Sequence, residues 1–109
     1  MVKDNNVYLS HILDAIETIE DFCSGKNYED FKGDKLLQDG LIRELEIIGE
    51  AAKHLSEEYK NRISDIPWKD IVGMRDRLIH YYFGVDLEAV WKTVNNDIQR
   101  LKTVIQENK

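Results

Sequence analysis

Residues 34–59 read DKLLQDGLIRELEIIGEAAKHLSEEY, and their apolar positions decide the fold class. Apolar side chains recur there at steps of three and four, which is the period of one face of an α-helix. The stripe consists of Leu37, Leu41, Leu45, Ile48, Ala52, Leu55 and Tyr59. Asp34 is a candidate N-cap, and Gly49, followed by Ala51 and Ala52, would let another helix approach closely. We therefore predict one long helix over residues 34–59.

Two further stretches have the same helical period. The first runs from Tyr8 to Cys23 and is followed by Gly25, a natural helix-ending residue. The last follows Asp86, a candidate N-cap. Its stripe consists of Leu87, Val90, Trp91, Val94, Ile98, Leu101, Val104 and Ile105. No segment shows the sustained alternation of a strand, so the sequence predicts an all-α, up-and-down helical bundle in a single domain of residues 1–109.

The only proline, Pro67, marks the connection between these stretches. Proline cannot continue a helix but can open one. We therefore predict a linker from Asn61 to Pro67 and a short helical piece over residues 68–72. A central helix is expected from about Asp70 to Phe83, ended by Gly84.

Composition limits the possible functions. The net charge of −6 argues against a general electrostatic attraction to nucleic acid, so any RNA would need a local basic patch or a groove between two copies. No apolar run approaches the ~18 residues of a membrane span, and Met1–Asn6 lacks the apolar core of a signal peptide. We expect a cytoplasmic protein. Cys23 is the only cysteine, which excludes an intrachain disulfide and predicts a small buried thiol.

The segment MRDRLIHYYFGVD, residues 74–86, concentrates reactive side chains. On an ideal helix Arg75 and Tyr82 share one face, and Asp76 and His80 share another, where the carboxylate would orient the imidazole. Arg75 and His80 lie about 140° apart, so a distorted helix end or a second subunit is needed to bring both to one substrate. From spacing alone, a solvated or salt-bridged surface is the commoner reason for such residues.

Five other positions could serve as metal ligands or site residues. His11 and His54 lie on different predicted helices without a local partner at metal-ligand spacing, so no metal site is expected. The acidic positions of the second stretch predict a solvated face shared with Arg43 and Lys53; they are Glu44, Glu46 and Glu50. Glu50, next to Gly49, has the alternative of reaching a cleft.

Arg75, His80 and Tyr82 form the pattern R-x-x-x-x-H-x-Y, which resembles the signature of HEPN-domain ribonucleases. The runs IPWKDIVGMR (66–75), HYYFGVD (80–86) and IGEAA (48–52) resemble the HepT-like subfamily in particular. The similarity covers essentially the whole chain.

The resemblance implies a HEPN bundle that forms a homodimer, with the motifs of both subunits facing one cleft. It implies metal-independent cleavage of RNA, such as tRNA or mRNA, without a cofactor. His80 would be the general acid or base toward the ribose 2′-hydroxyl or the leaving oxygen. Arg75 would stabilise charge on the phosphate, and Asp76 would orient one of these groups. The expected product is a 2′,3′-cyclic phosphate.

The resemblance also implies the toxin half of a HEPN/MNT toxin–antitoxin pair. The antitoxin would be a minimal nucleotidyltransferase that transfers AMP to Tyr82, next to Arg75 on the same helix face. The alternative function is a non-catalytic helical partner or regulatory subunit of a nucleotidyltransferase. A third reading is a dimerising bundle without a ligand, which the polar central segment disfavours.

Overall fold

The structure is a computed structural model that describes residues 4–78 and 86–108. The helices are α1 (Asn5–Cys23), α2 (Tyr28–Lys32), α3 (Lys35–Lys53), α4 (Glu57–Arg62), α5 (Trp68–Val72), α6 (Met74–Leu78), α7 (Leu87–Lys92) and α8 (Ile98–Glu107). A π-helical segment, Thr93–Asp97, joins α7 to α8. The described residues contain no strand, which confirms the all-α bundle. Of the described helices, none is both long and apolar enough to cross a membrane.

The two longest helices, α1 and α3, pack against each other in antiparallel directions. Tyr8 near the start of α1 stacks on His54, the residue after α3, with ring centroids 5.1 Å apart. At the opposite end, the Phe22 ring packs on Gly40. A Cβ added to Gly40 would lie only 2.9 Å from this ring. α8 packs on α1 as well, and Lys102 Nζ lies 2.9 Å from Glu20 Oε2. This packing places one apolar face of each of these helices in a shared core.

Most of the core comes from the predicted stripes, and Phe31, Met74 and Leu78 join it from outside them. Its largest fully buried side chains are Phe31, Ile12, Ile16, Ile19, Leu41, Leu45, Ile48, Leu55, Met74, Leu78, Ile98 and Leu101. Trp68 joins this core and uses its indole N–H to donate a hydrogen bond to the Ile63 carbonyl at 2.9 Å. Cys23 is half-buried against the cluster and therefore less enclosed than predicted.

The prediction of one helix over residues 34–59 is wrong, because α3 ends at Lys53 and a second helix, α4, begins at Glu57. Ser56 Oγ accepts a hydrogen bond from the Tyr59 N–H at 3.1 Å and so caps a new helix, α4. The Asn5 side chain accepts from the Ser56 N–H and donates to Ser56 Oγ, at 2.9 and 3.0 Å. These two hydrogen bonds to α1 hold the chain in position between α3 and α4. The spacing of apolar residues alone does not reveal this interruption.

The predicted central helix is also divided in its described part. α5 spans Trp68–Val72 and matches the predicted short helical piece, but the central helix does not begin at about Asp70. Gly73 then donates its N–H to the Lys69 carbonyl, and α6 starts at Met74. Residues 79–83 and Gly84, where the central helix was expected to end, lie outside the described residues.

Two short features were not predicted. α2 follows a reciprocal capping box in which Asn27 and Asp30 each accept a hydrogen bond from the other's backbone N–H. The π-helical segment, Thr93–Asp97, interrupts the last predicted helix without turning its stripe away from the core, since Val94 and Ile98 remain buried. Asp86 caps α7 through its side chain, as predicted.

Candidate functional site

The position of the motif helix α6 is set by a close contact between α3 and the end of α5. A Cβ built on Gly49 would lie 3.1 Å from the Ile71 carbonyl oxygen and 3.3 Å from that of Val72. This confirms the predicted close approach at Gly49. α6 starts two residues after α5 and is held in the core by Met74 and Leu78, which are 0% and 2% exposed.

The predicted site residues lie on α6 and immediately after it. The backbone of Arg75 belongs to α6, and its side chain is outside the described part of the structure. Asp76 is on the same helix, and its side chain is exposed. His80 and Tyr82 lie outside the described residues. The residues that flank this segment meet, because the Asp86 N–H donates to the Leu78 carbonyl at 3.0 Å.

A cavity of about 460 Å³ lies between α1, α3 and the α5–α6 pair. Asp76 lines it from the motif helix, Gly49 from its base, and Arg43, Glu46 and Glu50 from the outward face of α3. The predicted solvated face of α3 is therefore also one wall of a cavity that reaches α6. Its volume falls within the range of about 300–1,000 Å³ that is usual for ligand pockets.

One end of this cavity is aromatic. Tyr8 and His54 are stacked, with an interplanar angle of 18° and centroids 5.1 Å apart. His11, one helical turn from Tyr8, meets the Tyr8 ring edge-on at 6.3 Å. Sequence reasoning missed this cluster. The spacing of Tyr8 and His11 was visible, but the antiparallel register that brings His54 to them was not.

Charges of both signs surround the cavity. His54 Nε2 lies 3.4 Å from Glu50 Oε1, an ion pair when the imidazole is protonated. Glu50 thus faces solvent, as predicted, and also lines the cavity that contains Asp76. Arg43 makes no ion pair with any residue in 4–78 or 86–108. The same ranges contain no group of three or more His, Cys, Asp or Glu side chains arranged to hold a metal ion.

Two groups outside the cavity have raised pKa values. Burial raises the pKa of the Cys23 thiol, which keeps it protonated and a poor nucleophile near neutral pH. Burial also raises the pKa of the Tyr59 phenol, an effect partly offset by the Arg62 guanidinium. Neither residue lines the cavity beside α6.

Comparison with known proteins identifies the family. The model of the family described as Ribonuclease HepT-like matches residues 12–107. The chain belongs to the HepT-like ribonuclease family. The resemblance carried by Arg75, His80, Tyr82 and the runs around them is thereby confirmed.

Individual HepT-like relatives align over nearly the whole chain. A Thermococcus cleftensis protein named "Probable ribonuclease HepT" is 48% identical over 102 residues, which cover 94% of this chain and 93% of the relative. A Caldanaerobacter subterraneus protein named "Putative RNase TTE0752" is 42% identical, with 97% and 95% covered. No solved structure matches the chain.

A longer relative contains a match to this chain as one part. The Methanocaldococcus jannaschii protein named "Gamma-glutamylcyclotransferase and putative RNase MJ0434" is 50% identical over 105 residues. The match covers 96% of this chain but 47% of that protein. The chain therefore spans about half the length of this relative.

Proposed function

We propose that this HepT-like protein is a metal-independent endoribonuclease and the toxin of a HEPN/MNT toxin–antitoxin pair, acting on tRNA or mRNA in the cytoplasm. The family match over residues 12–107 is the observation that carries this proposal. Support comes from α6, which bears Arg75 and Asp76 and is anchored in the core by Met74 and Leu78. A single HEPN domain over residues 1–109 is part of the same proposal.

The proposed reaction is a transesterification of the RNA backbone. The ribose 2′-oxygen attacks the adjacent phosphorus while the bond to the 5′-oxygen breaks, which leaves a 2′,3′-cyclic phosphate and a 5′-hydroxyl. His80 removes the proton of the 2′-hydroxyl or supplies one to the leaving oxygen. Arg75 stabilises the extra negative charge on the phosphate oxygens. Asp76, exposed beside Arg75 on α6, orients one of these groups.

A homodimer completes the proposed site. Two copies of the motif facing one cleft would bring Arg75 and His80, which lie about 140° apart on one ideal helix, to the same phosphate. They would also concentrate positive charge locally in a protein whose formal net charge is −6. The dimer thus answers both objections that the sequence raises against RNA cleavage.

The antitoxin in this proposal is an MNT-type nucleotidyltransferase that silences the nuclease by transferring AMP to Tyr82. The phenolate oxygen attacks the α-phosphorus of ATP, and pyrophosphate leaves. The attached AMP adds negative charge and bulk close to Arg75, which opposes binding of a phosphodiester.

Cleavage of RNA in the presence of a chelator tests the proposal. We expect the purified protein to cleave end-labelled tRNA or mRNA with EDTA present and to leave 2′,3′-cyclic phosphate ends. His80→Ala and Arg75→Ala should both abolish cleavage while keeping the helical circular dichroism. Arg62→Ala is the matched control, since it removes an arginine from α4, which is not part of the motif helix.

Three results would contradict the proposal: cleavage by both variants at the wild-type rate, a strict requirement for added metal, or no cleavage by the wild-type protein. The last result, together with tight binding to a nucleotidyltransferase, would instead favour the non-catalytic partner.

A further inference from the structure

The cavity beside α6 is an elongated groove along one face of α3. Arg43, Glu50 and His54 are spaced by seven and four residues and therefore share that face. Arg43 and His54 lie about 16 Å apart along the helix axis, at 1.5 Å per residue. A stacked nucleic-acid strand advances about 3.4 Å per nucleotide. The groove is thus long enough for more than one nucleotide.

One end of the groove provides a flat surface for a base. His54 is stacked on Tyr8, and 46% of its side chain is exposed. The face of the imidazole turned away from Tyr8 would continue the stack with a third ring. Unpaired bases of single-stranded RNA are commonly held on aromatic and histidine rings in this way.

The other end provides a cation. Arg43 is exposed and pairs with no carboxylate in the described part of the chain, although the protein is rich in acidic residues. An arginine fork matches the oxygens of a phosphate. Asp76 brings the motif helix to the same groove.

We infer that this groove binds a single-stranded segment of the RNA substrate, with a base stacked on His54 and a backbone phosphate at Arg43. The inference rests on the proposed ribonuclease function and specifies how that enzyme holds its substrate next to α6. His54 and Tyr8 together act as the stacking platform, and Arg43 sets the register of the backbone.

The acidic wall of the groove disfavours a phosphate between its two ends. Glu46 and Glu50 lie between Arg43 and His54 along α3, and their carboxylates repel phosphate. A base can occupy this part, because exocyclic amino groups donate hydrogen bonds to carboxylates. Adenine, cytosine and guanine carry such a group and uracil does not. The groove is therefore expected to bind adenine-rich strands more tightly than uridine-rich strands.

Binding of an RNA analogue that cannot be cleaved tests this inference separately from catalysis. The probe is a short, fluorescently labelled 2′-O-methyl oligoadenylate, which lacks the attacking hydroxyl, and binding is followed by anisotropy. We expect His54→Leu to weaken binding about tenfold, within the usual cost of losing one stacked base. His54→Phe, which keeps a flat ring, should stay within about twofold of the wild-type protein.

The salt dependence of the same titration tests Arg43. Arg43→Ala should lower the slope of log affinity against log salt by about 0.7, the value for one phosphate contact on a single strand. Lys26→Ala is the charge-matched control, since it removes one positive charge from the loop after α1, outside the groove. Its slope should equal that of the wild-type protein.

Each of the following outcomes would overturn the inference. The wild-type protein fails to bind the probe, or His54→Leu and Arg43→Ala bind it with unchanged affinity and slope. A third is that His54→Leu converts a dimer to a monomer in sedimentation, which would make this face a subunit contact. Cleavage of unmodified RNA is measured in parallel. Cleavage without these binding effects refutes the groove alone, and binding without cleavage refutes the nuclease alone.

Discussion

Gly49 of α3 and Ile71 of α5 are in backbone contact, since a methyl group at Gly49 would lie 3.1 Å from the Ile71 carbonyl oxygen. The oxygen atom in the way belongs to the backbone and not to the tip of a flexible side chain. A methyl group at position 49 would therefore fit only if α5 moved. α6 follows α5 after one intervening residue, Gly73. Gly49 therefore controls where the motif helix lies.

Gly49→Ala should destabilise the fold and reduce RNA cleavage. Alanine gains up to about 1 kcal/mol of helix propensity over glycine, but overpacking against a fixed backbone costs about 1–3 kcal/mol. We expect a net loss of unfolding free energy, measured by urea denaturation. Gly33→Ala is the control, because its added Cβ would lie 3.6 Å from the Glu29 carbonyl oxygen, an ordinary contact. Equal stability of the two variants would contradict this role of Gly49.

Tyr59→Phe should stabilise the protein. The Tyr59 side chain is 4% exposed, and its hydroxyl has no hydrogen-bond partner among the described residues. An unpaired buried hydroxyl loses its hydration without compensation, so its removal is expected to raise the unfolding free energy by about 1 kcal/mol. Thermal unfolding at neutral pH measures this gain. A clear loss of stability would indicate that the hydroxyl is bonded after all.

The stabilising effect of Tyr59→Phe should grow at alkaline pH. Burial raises the pKa of Tyr59 above its ordinary value of 10.0, with Arg62 partly opposing the shift. The native state therefore favours the protonated phenol. The protonated phenol contributes fully to the unfolding free energy below pH 10, and this contribution declines as the pH rises through the raised native pKa. Urea denaturation of both proteins across this range should show the wild-type stability falling more steeply.

Ser56→Ala should separate α4 from the start of α1. The change removes the N-cap of α4 and one of the two hydrogen bonds from Asn5, and loss of an N-cap alone costs about 1 kcal/mol. A double-mutant cycle with Asn5→Ala, followed by urea denaturation, should reveal coupling between the two positions. Ser64→Ala, at an exposed turn, is the control. Additive effects of Asn5→Ala and Ser56→Ala would exclude the coupling.

Tyr82→Phe should abolish modification by the antitoxin. We expect the wild-type protein, co-expressed with its nucleotidyltransferase, to gain one or more AMP masses and to lose RNA cleavage. The phenylalanine variant lacks the attacking oxygen and should show neither change in mass spectrometry or cleavage assays. Tyr81→Phe is the adjacent control and should still be modified. Persistent modification of Tyr82→Phe would move the site elsewhere.

The sequence predicted the features that depend on local periodicity and capping. The stripe of the last helix is buried at Val90 and Val94 despite a π-helical segment that no periodicity indicates. The contact at Gly49 followed from residue size alone. By contrast, the break after Lys53 depends on a tether from Asn5, about fifty positions away, and such a partner is invisible in a local pattern.

The candidate site shows the same division. Arg75, His80 and Tyr82 are predicted as site residues by a motif of fixed local spacing, and Asp76 is predicted from its place next to Arg75. The groove was not foreseen, because it depends on the register between α1 and α3 that stacks Tyr8 on His54. Non-local register is set by the whole core, so a single sequence without aligned relatives does not reveal it.

The hydrogen bond from the Asp86 N–H to the Leu78 carbonyl joins the end of α6 to the N-cap of α7. The two ends of segment 79–85, which includes His80 and Tyr82, are therefore held together by the bundle. The entropic cost of joining two ends of a chain grows only slowly with the number of residues between them. A one-residue insertion between Leu78 and Asp86 should therefore cost the fold little stability.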